Sequence, residues 1–319
     1  MRKRMSHGHF RRGAAVLCLS LSLCLLLGSC SFSLEDAMQR LKAYVNGEEI
    51  PTPPEGFVEA RENDLYTYDV YETYVVITGY KGEDVDVTVP WKLDELPVRK
   101  IGELAFYYGV PVESVSLPNT VTELEENAFY YCRSLKKITL PGSITSIGDK
   151  CFSWCSSLTT VTLPRSVTVI PEYCFNECTA LKTVVLPEGI TSVGTRAFSG
   201  CKSLTAMSFG ESLASIGSFA FRGCTSLDLV HLPGSCETVG TDPFGGCGEN
   251  LMVGTGKFSP CWEALAAQGM RPTEGGNYLR LPTQAELDAE ANGDTSDPFD
   301  TSDDTDPGEA SGEAGPDAE

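Results

Sequence analysis

Histidine is scarce in this 319-residue chain. There are three, and two of them, His7 and His9, lie within the first ten residues. Serine or cysteine hydrolase chemistry needs a base within hydrogen-bond reach of its nucleophile. His231, the one remaining imidazole, falls at an alternating, solvent-facing strand position with no acid to orient it. Adjacent Glu125 and Glu126 read as solvated side chains rather than as a glycosidase pair. Zinc-knuckle spacing is missing too: the closest cysteines, Cys151/Cys155 and Cys174/Cys178, are C-x-x-x-C rather than C-x-x-C. Bases are few, 24 Lys+Arg against 44 Asp+Glu, for a net charge of −20. That balance excludes nucleic acid, whose phosphates need clustered bases, and disfavours docking on anionic headgroups. Long apolar runs are absent as well. The longest, Ala14 to Leu27, falls short of the roughly 20 residues that span a bilayer. The expectation is a non-catalytic chain without metal or cofactor.

The apolar run follows a basic segment of Arg2, Lys3, Arg4, Arg11 and Arg12, the pattern of an export signal. It ends at Leu27-Gly28-Ser29-Cys30, which resembles the lipobox of bacterial lipoproteins. The resemblance implies that Cys30 carries a diacylglyceryl group and becomes the first residue after cleavage; an ordinary secretory signal is the alternative. Two acyl chains anchor stably where one gives only marginal binding. Without the leader, 19 bases face 44 acids. From Glu286 to Glu319 there are thirteen acids and no base, in a Gly-, Ser- and Pro-rich context that cannot build a core. The aspartates Asp300, Asp303, Asp304 and Asp306 lack the spacing of an EF-hand loop. Between the leader and the centre, Leu34, Met38, Leu41 and Val45 suggest one short helix, and Pro51-Thr52-Pro53-Pro54 an extended tether.

The centre is periodic. Phenylalanine recurs every 23 residues at Phe106, Phe129, Phe152, Phe175, Phe198, Phe221 and Phe244. Cysteine does so from Cys132 to Cys247, and an aliphatic residue from Ile101 to Val239. A strict period of this length means a solenoid of units that cannot stand alone. In one copy, Leu135-x-x-Ile138-x-Leu140 reads as a half-buried strand, Pro141 stops it, Gly148 marks a bend and Phe152 turns inward. Stacked copies form a parallel sheet. The Leu-Pro-x-Ser-Ile-Thr-x-Ile-Gly-x-x-Ala/Cys-Phe-x-x-Cys run, over about Leu65 to Leu251, closely resembles BspA-type leucine-rich repeats. The resemblance implies a leucine-rich-repeat solenoid with turns or short helices between strands, and a role in adhesion or in binding host and matrix proteins. The column Thr120, Ser143, Ser166, Gly189, Ser212 and Ser235 replaces the asparagine of more familiar repeats, so no asparagine ladder is expected.

The boundaries read as leader 1–29, lipidated start and spacer 30–55, N-terminal cap and degenerate copy 56–100, solenoid 101–250, C-terminal cap 251–275 and disordered acidic tail 276–319. In the first cap, Tyr66 to Tyr68 and Tyr74 to Tyr80 suggest strands, and Val85 to Pro90 a copy displaced by an insertion near Trp91. In the second, Ser259-Pro260 is a helix start. Ten cysteines lie beyond Cys30, and the column Cys132 to Cys247 reads as a core ladder of thiols: equivalent β-carbons on parallel strands lie about 4.8 Å apart and do not converge, whereas a disulfide needs about 3.5–4.5 Å.

Two surfaces are candidate binding sites. Aromatics follow only the first three repeat phenylalanines, at Tyr107, Tyr108, Tyr130, Tyr131 and Trp154, and predict a short aromatic edge. The exposed strand face presents Lys136, Thr159 and Lys182 beside Thr139, Thr162, Val185, Ser208 and His231. An extracellular protein or a glycan is the expected partner, with the membrane met through Cys30 at the bacterial cell surface. The sequence leaves the oligomeric state open.

Overall fold

The structure is a computed structural model that describes residues 55–107, 111–255, 259–273 and 278–291. The export signal, Cys30, the spacer, Tyr108 and the acidic stretch from 292 onward lie outside the described residues.

Each 23-residue copy forms one coil with two short strands and a turn. The first row of strands includes Ser114–Ser116, Lys137–Thr139, Thr160–Thr162, Thr183–Val185, Ala206–Ser208 and Leu229–His231, and the second includes Ser146–Ile147, Ser192–Val193 and Ser215–Ile216. Pairing is parallel and steps by the period: Val115 faces Ile138, Val161 faces Val184, and Val193 faces Ile216. Only the central residue of each first-row strand is buried, as alternation requires. Among the described residues 101–250 the connections are turns; no helix lies between strands. The second row is interrupted once. Gly148 N–H donates to Leu124 O and Gly194 N–H to Ile170 O, each at 2.8 Å. Pro171 occupies the same column and has no N–H to give, so that rung is missing and the row divides between Ile147 and Val169. Glycine serves this column because a β-carbon on Gly148 or Gly194 would run into the backbone of the preceding coil.

The turns hold the core. The seven repeat phenylalanines are buried and stacked, with centroids 4.9 Å apart from Phe106 to Phe129 and 5.3–5.5 Å apart thereafter. Their backbone continues the ladder: Phe129 N–H donates to Cys151 O at 2.9 Å and Phe175 N–H to Ala197 O at 2.7 Å. The cysteine column does more than fill space. Cys155, Cys178, Cys201, Cys224 and Cys247 each donate a thiol hydrogen to the carbonyl of the phenylalanine in the preceding coil, at 3.1–3.2 Å, and Cys132 does so to Phe106. The serine column likewise bonds between coils: Ser143 Oγ donates to Val121 O at 2.6 Å and Ser235 Oγ to Leu213 O at 2.9 Å. Asparagine is absent, and hydroxyls and thiols close the buried carbonyls in its place.

At the N-terminal end, β1 (Phe57–Glu62), β2 (Tyr66–Tyr71) and β3 (Val75–Tyr80) form an antiparallel meander, and β3 then joins the second row. Tyr80 lies 5.4 Å from Phe106 and continues the ring stack. The degenerate copy is β4 (Asp86–Thr88), whose Val87 faces Val115, 28 residues away rather than 23. The surplus folds into a hairpin between β5 (Lys92–Leu93) and β6 (Leu96–Ile101). Its turn residues Asp94 and Glu95 both have positive φ, 49° and 66°, as a two-residue hairpin loop demands. Asp94 accepts from Arg61 at 2.8 Å and Tyr68 at 2.7 Å, which lowers its carboxyl from the usual range. Burial and this acceptor push the Tyr68 hydroxyl up to about 12.

At the other end, α1 (Pro260–Ala267) is capped by Ser259, whose hydroxyl accepts from Trp262 N–H at 3.2 Å, and packs on Thr238–Val239. Gln268 supplies what a further coil would have supplied. Its amide oxygen accepts from Asp242 N–H at 2.8 Å and its nitrogen donates to Gly240 O at 3.2 Å.

Two features of this end go beyond the sequence reading. Cys236 and Cys261 form a disulfide, with Cα atoms 6.0 Å apart, tying α1 to the last coil. The pair lies off the cysteine column, so the argument against disulfides within that column does not reach it. The acidic tail also starts later than residue 276. Tyr278–Arg280 pairs antiparallel with Met252–Gly254, and Leu279 is fully buried. From Pro282 the chain is a separate unit, in which α2 (Gln284–Ala291) opens on a capping box. There Thr283 N–H donates to Glu286 at 2.7 Å, and Glu286 N–H donates back to the Thr283 hydroxyl at 3.3 Å.

The thiols yield two predictions. Of the ten cysteines beyond Cys30, eight are free and two are bridged, so a thiol reagent added to denatured, unreduced protein comprising residues 31–319 should label eight, and ten only after reduction. Burial raises the pKa of Cys151, Cys155, Cys174, Cys178, Cys201 and Cys247. The folded chain therefore keeps protons that the unfolded chain loses. Denaturant titrations should show this stability intact below about pH 8.5 and falling above it by about 1.4 kcal/mol per pH unit for each such thiol.

Candidate functional site

The turn edge contains two columns in the left-handed region of backbone space. One passes through Leu104, Asn127, Lys150, Tyr173, Arg196, Phe219 and Asp242, with φ between 47° and 59°. The other passes through Tyr131, Trp154, Glu177, Gly200, Gly223 and Gly246, with φ between 58° and 75°. The cause is the ladder. In this conformation each N–H points at the next coil: Tyr131 N–H donates to Ser153 O at 2.8 Å, and Trp154 N–H to Asn176 O at 2.7 Å. Glycine takes up this conformation freely, whereas an L side chain costs about 1–2 kcal/mol. The last three copies of the second column use glycine. The earlier described copies hold tyrosine, tryptophan and glutamate.

The aromatic side chains meet as two adjoining pairs rather than one ladder. Tyr107 and Tyr130 stack with centroids 5.9 Å apart and planes 6° from parallel. Tyr131 and Trp154 lie 5.7 Å apart with planes tilted by 42°, and Tyr130 is 5.7 Å from Tyr131. The Arg133 guanidinium sits 4.2 Å from the Tyr131 ring centre and bonds its hydroxyl. Tyr107 is 47% exposed, Tyr130, Tyr131 and Trp154 are half-buried, and Ser153, which follows Phe152, is buried. Beside them Lys150 donates to Glu126 at 2.9 Å, which raises the ammonium and lowers the carboxyl. Sequence reasoning found the residues but not their strained backbone, for which the switch to glycine in later copies is the available signal.

The strand face is present as a surface. Lys136, Thr139, Thr159, Thr162, Lys182, Val185, Ser208 and His231 are all exposed, with Thr162 paired to Val185 and Ser208 to His231. Lys136 forms an ion pair with Glu113 at 2.7 Å. No hydrogen bond joins Ser208 to His231. Among the described residues no group of three His, Cys, Asp or Glu side chains is set to hold a metal ion, and no helix is long and apolar enough to cross a membrane.

This geometry defines a leucine-rich-repeat solenoid with an exposed turn edge and an exposed strand face. Residues 99–211 and 191–252 match the protein family described as "BspA type Leucine rich repeat region", in six copies. The repeat region of this chain is a BspA-type leucine-rich repeat region. Two solved structures are similar, each at 25% identity and a TM-score of 0.41. One is a leucine rich cell surface protein from Faecalibacterium prausnitzii, with 64% of this chain and 76% of that one covered. The other is a leucine rich repeat protein from T. pallidum, with 66% and 96% covered. No curated protein matches the chain.

Proposed function

We propose that this chain is an exported, lipid-anchored protein of the bacterial cell surface that binds an extracellular protein without turning it over. Leu27-Gly28-Ser29-Cys30 supports the anchor, and the BspA-type repeat region supports an adhesive or protein-binding role. The edge of Tyr107, Tyr130, Tyr131 and Trp154 is the contact surface. One observation carries this assignment: Tyr131 and Trp154 both sit at φ 64°, in a column whose later copies are glycine. Strain of this kind persists where a side chain is needed, and clustered aromatics with polar tips are the preferred anchors of interfaces. A glycan is the second reading, favoured by the nearly parallel Tyr107 and Tyr130 rings as a stacking platform.

The test substitutes what later copies already hold. Tyr131→Gly/Trp154→Gly should fold with a melting temperature close to the parent's. On a panel of extracellular proteins and glycans it should lose at least about tenfold in affinity for the protein that the parent binds. Full retention of binding by the variant sinks the assignment, and glycan hits without protein hits transfer it to the second reading.

A further inference from the structure

The later half of the turn edge carries a cluster that the aromatic pairs do not use. Tyr173, Arg196 and Phe219 occupy successive coils of the first left-handed column, with φ of 54°, 53° and 59°. The Arg196 guanidinium lies 5.6 Å from the Tyr173 ring centre and 5.2 Å from that of Phe219. It also donates a 3.2 Å hydrogen bond to the Tyr173 hydroxyl. The Arg222 guanidinium lies 5.4 Å from the same Phe219 ring. Both guanidiniums thus approach the one Phe219 ring, Arg222 exposed and Arg196 half-buried.

Neither has a carboxylate partner. Ion pairs among the described residues are formed by bases such as Arg61, Lys81, Lys92, Lys100, Lys136 and Lys150, and not by Arg196 or Arg222. That is unexpected in a chain with 44 acids. The turn segments 195–202 and 218–225 hold Arg196, Lys202 and Arg222 and no acid. Across residues 191–236, two full periods, three bases outnumber two acids, although the whole chain carries −20. Glu172 and Glu177 bound the cluster on one side and Asp242 on the other.

We propose that Arg196 and Arg222 form a carboxylate-recognition site for an acidic segment of an extracellular polypeptide. With Nη1 of Arg196 on the Tyr173 hydroxyl, its Nε/Nη2 edge and the fork of Arg222 remain to grip a carboxylate with two parallel hydrogen bonds in the planar geometry that a guanidinium offers. The rings fix that geometry before binding, so less side-chain freedom is lost when the ligand arrives. Sugar stacking is disfavoured here, because Arg196 lies against both the Tyr173 and Phe219 rings. Glu172, Glu177 and Asp242 repel a long, dense polyanion, so a short acidic segment is favoured. The Ser199 hydroxyl, in the column of Arg222, is a further donor.

The experiment uses the full chain and a fluorescein-labelled octapeptide of alternating Glu and Gly, read by fluorescence anisotropy, with a heparin-derived oligosaccharide in a parallel arm. The parent should bind the peptide, more weakly as salt rises. Arg196→Gln/Arg222→Gln should weaken binding at least about tenfold, the loss expected for two charge-assisted contacts. Arg196→Lys/Arg222→Lys, which keeps the charge and removes the fork, should also weaken it, while Tyr131→Gly/Trp154→Gly should not. Circular dichroism melts confirm that each variant is folded. No peptide binding by the parent, unchanged binding by either arginine variant, or preference for the oligosaccharide overturns the proposal.

Discussion

The structure depends on one contact repeated from coil to coil: a phenylalanine ring stacked on the next, with a cysteine thiol closing the carbonyl of the ring's own residue. The rings exclude water from the turns, and each thiol gives the phenylalanine carbonyl a second hydrogen bond, across coils, beside the one it already accepts from the backbone N–H three residues on. Neither half works alone. A stack without the thiols would leave each buried carbonyl with only its bond to the backbone N–H within its own coil, and thiols without the stack would face solvent. Each coil therefore takes its stability from its neighbours, and the ends need special treatment. Tyr80 extends the stack at one end. At the other, Gln268 meets the last unpaired backbone groups and the Cys236–Cys261 bridge holds the closing helix in place.

The same ladder forces the surface chemistry. For each N–H on the turn edge to reach the next coil, two residues per coil adopt left-handed backbone. Their side chains are fanned outward at the spacing of the coils, so whatever occupies these columns forms a row. In the first column leucine, asparagine and lysine give way to tyrosine, arginine and phenylalanine, and in the second tyrosine, tryptophan and glutamate give way to glycine. A fixed scaffold thus presents different chemistry along its length without any change of fold.

Much of this was legible in the sequence. The 23-residue period named every core column, and the break in aromatics after Trp154 picked out the edge. Other features were not, for identifiable reasons. The left-handed column from Leu104 to Asp242 contains no glycine, so composition gave no hint of its backbone. The serine column looked like a lost ladder because a hydroxyl reaching Val121 O or Leu213 O depends on the distance between coils, which the period alone does not supply. Cys236 did leave a trace, since it stands where Val121, Ile144, Val167, Ile190 and Leu213 stand in earlier copies. A cysteine in an aliphatic column, with another at the start of the closing helix, was the signal for the bridge.

The most direct test of neighbour-dependent stability is native-state hydrogen exchange on the chain carrying Phe175→Ala, read by mass spectrometry over the turn segments. If each coil is held by its neighbours, exchange should quicken together in 171–180 and in the flanking turns 148–157 and 194–203. Acceleration confined to 171–180, with both flanking turns as protected as in the parent, would contradict the account.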